Sequence, residues 1–174
     1  MSAIRVLGHI TIPESLKQNL SEIRQTRSSA FAAKGVIEVH YFPQGNPNLP
    51  TGDAWQLDAE KTQFGLDLLS HLGLAAEYMH DANLMGYAQL DPHTDIGFLV
   101  QGEPVAFLHV VLSGSGTIFM SSLPDPTQQT THLIEGMVFI LNPETEHAFG
   151  DCPDILFSLS MVLPQSKMAG LVLG

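Results

Sequence analysis

The stretch EGMVFILNPETEHAF, residues 135–149, decides the fold: a glycine turn, an apolar strand, a proline turn, then a short strand carrying a histidine. Met137–Leu141 reads as an apolar strand, and the proline turn NPET sends the chain back across its own sheet. The same rhythm runs outward in both directions. Strands are predicted near Met85–Leu90, Ile96–Val100, Ala106–Leu112, Thr117–Met120, Thr131–Ile134, Met137–Leu141, Glu146–Phe149 and Ile155–Leu163, separated by DP, QGEP, SGSG, LPDP, EG, NPET and GDCPD. Many short strands at close spacing imply a sandwich or barrel.

The first part of the chain reads differently. TIPESLKQNLSEIRQTRSSAFAA, residues 11–33, opens with a capping box of Thr11 and Glu14, and Leu16, Leu20, Ile23, Arg27 and Phe31 fall at helical spacing. Gly35 ends that helix, and VIEVHYF, residues 36–42, reads as a strand. The loop that follows is rich in proline, and its segment Gln44–Asp53 with Trp55 reads as surface packing or as a lid on a barrel mouth. A second helix is predicted from Asp58 to about Tyr78, with Phe64, Leu68 and Leu72 inward. The expected organisation is one domain over 1–174: support in 1–82, a β core in 83–163 and a tail in 164–174. The fold class is mainly β with supporting helices, a barrel-like jelly roll. The tail SKMAGLVLG is apolar enough to add a strand, cover a sheet edge or pack in a homodimer.

Composition excludes several roles. Hydrophobic residues make up 44% of the 174 residues and charged residues 14%, which suits a compact core rather than disorder. A net charge of -11 disfavours binding to nucleic acid, which needs clustered Lys and Arg. The single cysteine, Cys152, fits a reducing compartment. MSAIRVLGHITIPES has no long apolar segment of the kind that directs export, and no apolar run is long enough for a bilayer. The expectation is a cytoplasmic protein that does not associate with membranes. Between Lys61 and Lys167 there is no Lys or Arg at all.

Within the β region, LDPHTDIGF, residues 90–98, places a histidine and an aspartate two apart. If PHTDIGF begins a strand, His93 and Asp95 project from one face, because side chains alternate with a period of two. The plainer reading is a polar turn in which Asp91 and Asp95 bind nearby amides. An imidazole beside a carboxylate supplies two arms of the two-histidine, one-carboxylate triad that holds Fe(II) and leaves positions open. His147 ranks first as third ligand, because the NPET turn brings it back across the sheet. His132 ranks lower. His109, inside FLHVVLSG, reads as a core histidine or a pocket residue. His9, His40, His71 and His80 have no partner at ligand spacing. For His147 a backbone carbonyl is the expected partner of the second ring nitrogen.

On these residues the chain resembles the Fe(II)/2-oxoglutarate-dependent oxygenase superfamily over roughly 83–163. NLMGYAQLDPHTDIGFL is similar to the tyrosine-bearing strand and H-x-D segment of prolyl-hydroxylase-like members. FLHVVLSGSGTIFM resembles their central hairpin, EGMVFILNPETEHAF the distal-histidine stretch, and ILFSLSMVL the closing strand. The resemblance implies a double-stranded β-helix with His93, Asp95 and His147 as metal ligands and Fe(II) as cofactor. Cupins share that fold, but their first motif normally has H-x-H where this chain has His93-Thr94-Asp95. One position departs from the family: the arginine that pairs with the far carboxylate of 2-oxoglutarate is replaced by Ser158, with Ser160 at the family's serine. A replacement cation would have to come from Arg24, Arg27, Lys34, Lys61 or Lys167, helped by His109 or Tyr87.

Three readings follow. One is a non-haem Fe(II) oxygenase acting on a small molecule, with 2-oxoglutarate as co-substrate through a displaced anchor. Another is an Fe(II) enzyme of the same fold without that co-substrate. The third is a non-catalytic cupin-like metal- or ligand-binding protein. Tyr87, Asn83, His109, Ser158 and Ser160 are the predicted cofactor- or substrate-binding residues, and Phe98, Phe107, Val111, Phe119, Phe139 and Phe157 the predicted walls.

Overall fold

The computed structural model describes residues 3–18, 20, 21, 24, 38–42, 55–121 and 129–174. The predicted lid segment Gln44–Asp53 lies outside the described residues, as do Ile23, Arg27, Phe31, Lys34 and Gly35. Twelve strands are described: β1 Ile4–His9, β2 Glu38–Phe42, β3 Trp55–Gln56, β4 Asn83–Tyr87, β5 Leu90–His93, β6 Leu99–Val100, β7 Glu103–Ser113, β8 Ser115–Ser121, β9 Gln129–Ile134, β10 Met137–Leu141, β11 Glu146–Gly150 and β12 Leu156–Pro164. They form two sheets. The larger runs β1-β10-β7-β12-β4-β2-β3, with β6 paired to β7, and the smaller runs β5-β11-β8-β9. Every pairing is antiparallel except β2 with β3.

The predicted strand Met137–Leu141 matches β10 residue for residue, and all five of its residues are buried. Other boundaries move. Met85–Leu90 is two strands, β4 and β5, broken after Tyr87. Ile96–Val100 shrinks to β6, because Ile96 and Gly97 lie in a turn where Gly97 takes φ +90. The N-terminal part does more than support: β1 lies against β10 and extends the large sheet itself. Gly136 makes that contact feasible. Its φ is +82, its carbonyl accepts from Ile10 N–H at 2.9 Å, and a Cβ there would sit 2.2 Å from Ile10 O.

The second helix is shorter than predicted. It runs Ala59–His71, capped by the Asp58 side chain, which accepts from Lys61 N–H. Gly73 takes φ +68, its N–H donates to Ser70 O, and Leu74 N–H reaches back to Leu69 O. That glycine-centred stop terminates the helix. A separate 3₁₀ turn, Ala76–Met79, follows. Of the first helix, residues 14–18, 20, 21 and 24 are helical, a later start than the Thr11 cap implies.

Alternation sorts the large sheet into two faces. Outward, Leu84, Ala106, Leu108, Val110, Val138, Ile140, Phe157, Leu159 and Met161 form one cluster with Leu16, Leu20, Leu68 and Leu69 from the helices. Inward, Tyr87, Val111, Phe139 and Leu156 meet Ile118, Met120, Leu133 and Phe149 of the small sheet. The tail adds no strand: Gln165–Gly170 is a 3₁₀ helix, and Met168 and Leu171 are buried in the outer cluster.

Candidate metal centre

β11 lies between β5 and β8 in the small sheet, and His147 on β11 faces His93 on β5 as its direct cross-strand partner. Directly opposite residues in an antiparallel pair lie on one face. The imidazoles therefore meet, with ring centroids 4.3 Å apart. Asp95 arrives by another route. PHTDIGF does not begin a strand; β5 ends at His93, and Asp95 sits in the loop beyond it. Its backbone N–H donates to Pro143 O at 2.9 Å, tying this loop to the NPET turn that precedes His147. Its Oδ2 lies 3.6 Å from His147 Nε2 and 3.9 Å from His93 Nε2.

The three side chains offer one donor atom each, all within 4.8 Å of one another. Both rings are held in the orientation a metal needs. His93 Nδ1 lies 2.8 Å from Asp91 O and His147 Nδ1 lies 2.9 Å from Thr145 O. A carbonyl can only accept, so each Nδ1 carries the hydrogen and each Nε2 presents its lone pair inward. The carbonyl partner expected for His147 is thus present. Burial pushes the His147 imidazole below its ordinary pKa, and the nearby His93 adds to this, against the opposing pull of the Thr145 carbonyl and Asp95. A neutral ring is the form that ligates.

These groups stand at the wall of a cavity of about 490 Å³. Asn83, Tyr87, His109 and Ser160, all predicted binding residues, line it too. Ser158 does not. Its Oγ lies 3.1 Å from His109 Nδ1 and donates to Val110 O at 3.3 Å, so it holds His109 from behind. Of the predicted walls, Phe98 and Phe107 line the cavity, while Phe139 stacks on His109 at 4.8 Å. Val111 lies in the inner core, Phe119 lines a separate surface cleft, and Phe157 packs on the outer face. Sequence reasoning missed Phe149, which lines the cavity and stacks on Tyr87 at 4.2 Å. It stands two residues after His147 on the same strand, so alternation was the signal that could have found it.

Burial of the whole ring pushes His109 down to about 3, with His147 nearby adding to the effect. His132 is exposed and lies 3.2 Å from Thr117 Oγ1, away from the triad. The described cations among the candidate anchors lie elsewhere. Arg24 pairs with Asp154 at 2.9 Å and lies over the Phe157 ring, Lys61 pairs with Asp58, and Lys167 is exposed on the 3₁₀ helix. Among the described residues, no Lys or Arg lines the cavity.

No protein-family model matches the chain, and no curated protein matches its sequence. Solved structures do match its fold. A prolyl-4-hydroxylase from Pseudomonas putida is 16% identical, with 93% of this chain and 92% of that chain covered at a TM-score of 0.51. OsALKBH1 is 10% identical, with 94% and 99% covered and a TM-score of 0.54. The non-heme alpha ketoglutarate dependent epimerase SnoN from nogalamycin biosynthesis is 15% identical, with 92% and 77% covered and a TM-score of 0.50. At such identities the likeness establishes the fold: a mainly β jelly roll, the double-stranded β-helix, with supporting helices. No helix among the described residues is long and apolar enough to cross a membrane.

Proposed function

We propose that the chain is a non-haem Fe(II)-dependent oxygenase acting on a small molecule, with His93, Asp95 and His147 as the metal ligands. The observation that carries this is the convergence of two inward Nε2 lone pairs and one carboxylate oxygen at a cavity wall. Two imidazoles and a carboxylate on one side of a cation match the donor set preferred by non-haem Fe(II), with the opposite side left for other ligands. The shared fold with a prolyl-4-hydroxylase and an alpha ketoglutarate dependent epimerase supports the reading.

A bound Fe(II) supplies the capacity to activate dioxygen. The chain supplies the rest. Asp91 O and Thr145 O hold the two imidazoles in one tautomer. The Asp95–Pro143 backbone bond sets the distance between the carboxylate loop and the β11 ligand. A single carboxylate leaves a divalent ion with net positive charge, which favours electron-rich ligands on its open side. Leu90, Phe107, Leu141 and Phe149 make the wall beside the proposed centre largely apolar.

Use of 2-oxoglutarate is a separate question. A fork-shaped guanidinium suits its distal carboxylate, and among the described residues the cavity offers none. That favours, as second reading, an Fe(II) enzyme of this fold that binds its substrate without the keto acid. Anaerobic Fe(II) titration tests both. One equivalent bound by the natural chain and lost in His93→Ala supports the metal centre, and failure to bind one equivalent overturns it. A visible charge-transfer band on adding 2-oxoglutarate supports the first reading. Stoichiometric metal without the band supports the second.

A further inference from the structure

Three polar side chains interrupt the inner face of the large sheet in one transverse row. Ser160 on β12 is in register with Asn83 on β4 on one side and with His109 on β7 on the other. All three line the cavity that holds the metal ligands. Around them the wall is apolar: Met85, Val105, Phe107 and Val162. A polar row in such a place is costly unless something pairs with it.

The hydrogen-bond chain behind His109 sets what that partner must be. Ser158 Oγ lies 3.1 Å from His109 Nδ1 and 3.3 Å from Val110 O; when the hydroxyl proton goes to Val110 O, which can only accept, Ser158 Oγ accepts from His109 Nδ1–H. In that arrangement Nδ1 is the protonated nitrogen, and Nε2 is left as a bare acceptor. His109 is 1% exposed, and its Nε2 has no hydrogen-bond partner. Asn83 Oδ1 is a second buried acceptor without a partner. Two orphaned acceptors in one apolar wall call for donors. They give nothing to an anion, which could draw only on the Ser160 hydroxyl and the Asn83 amide N–H, with no Lys or Arg lining the cavity among the described residues. Protonating His109 to meet an anion is opposed by the same burial that pushes the ring down to about 3.

We propose that the Asn83–Ser160–His109 row is a ligand-orienting subsite that takes the hydroxyl or N–H end of a neutral, largely apolar molecule. This deepens the proposed function by naming its ligand class, and it rests on that reading only for what happens after binding. The orientation follows from the fold: the row lies on the large sheet, and His93 and His147 lie on the small sheet, so a ligand held by its polar end on one presents its body to the other. His109 and Asn83 act as positioning residues here.

The test uses three probes on one ring system: 2-naphthol, 2-methoxynaphthalene and 2-naphthoate, with binding to the metal-free full chain followed by calorimetry at pH 7. The expected result is that 2-naphthol binds about tenfold more tightly than 2-methoxynaphthalene, the equivalent of one hydrogen bond. Its advantage over 2-naphthoate should be larger still. In His109→Phe, which keeps a flat ring against Phe139, the naphthol advantage over the ether should fall below about threefold while both still bind. Asn83→Leu, a second variant at the other end of the row, should shrink it in the same direction. The proposal is overturned if 2-naphthoate binds as tightly as 2-naphthol, if the naphthol advantage survives in both variants, or if 2-naphthol fails to bind at millimolar concentration. Fe(II) uptake measured on the same preparation separates the two ideas: lost uptake with an intact naphthol preference removes the oxygenase reading and leaves the subsite.

Discussion

The two faces of the large sheet are built from the same strands with the same alternation, yet they do different work. On β7, Ala106, Leu108, Val110 and Leu112 go outward into hydrocarbon, while Phe107 and His109 go inward to the cavity. On β12, Phe157, Leu159 and Met161 go outward and Ser158, Ser160 and Val162 inward. The outer face is closed by helices and holds the fold together. The inner face, opposite the small sheet, leaves space at one end, and there the polar residues collect. The helix-covered core and the proposed site thus lie on opposite faces of one sheet.

That separation breaks most visibly on the outside. Phe157 is wholly buried there, beneath the Arg24 guanidinium. Phe157→Ala should lose about 3–5 kcal/mol of stability, read from urea unfolding. A loss under about 1 kcal/mol would mean that the outer face is not the structural one. Inside, His147→Ala should do the reverse. Partners one step removed from a metal already matter by 10–100-fold, so losing a proposed ligand should weaken Fe(II) binding by at least about a hundredfold. The unfolding midpoint should move little, and calorimetry beside urea unfolding reads the two effects apart.

His109 joins the two functions, and pH sharpens the contrast. Its folded pKa of about 3 lies below the ordinary 6.5. Between those values the unfolded chain binds a proton that the folded chain does not. Stability should therefore be full above about pH 6.5 and fall as the solution is acidified, by at most about 1.4 kcal/mol per pH unit from this group. In His109→Phe the slope of unfolding free energy between pH 6.5 and 4.5 should flatten by that share, and an unchanged slope would contradict the burial argument. The smallest effect belongs to the cavity lip. Phe98 is 61% exposed yet lines the mouth. Phe98→Ser should leave stability within about 0.5 kcal/mol of the natural chain and weaken 2-naphthol binding a few-fold, measured by the same calorimetry.

Much of this was legible in the residues. The run Met137–Leu141 was readable as a strand because five apolar residues stand between two turn signals. His93, Asp95 and His147 were readable as a candidate donor set, since an H-x-D pair and a histidine after the NPET turn resemble a known metal-binding pattern. The route to Asp95 was not legible. It reaches the other two through a loop held by the Pro143 carbonyl, a contact between residues far apart in sequence. Phe157 and Ser158 illustrate the same limit: alternation gives opposite faces but does not say which face holds the cavity.

The order of apolar runs and breakers in the chain determined the strands, and the donor types determined which metal the proposed centre would suit. Both are local properties, set by side-chain period and donor identity. Which face of the large sheet would be sealed by helices and which would keep a cavity was decided only in three dimensions. So was the polar row Asn83–Ser160–His109, whose members are 26 or more positions apart in sequence and meet only through strand register. The reason is that register is fixed by the burial of many side chains at once, and no single stretch contains that sum.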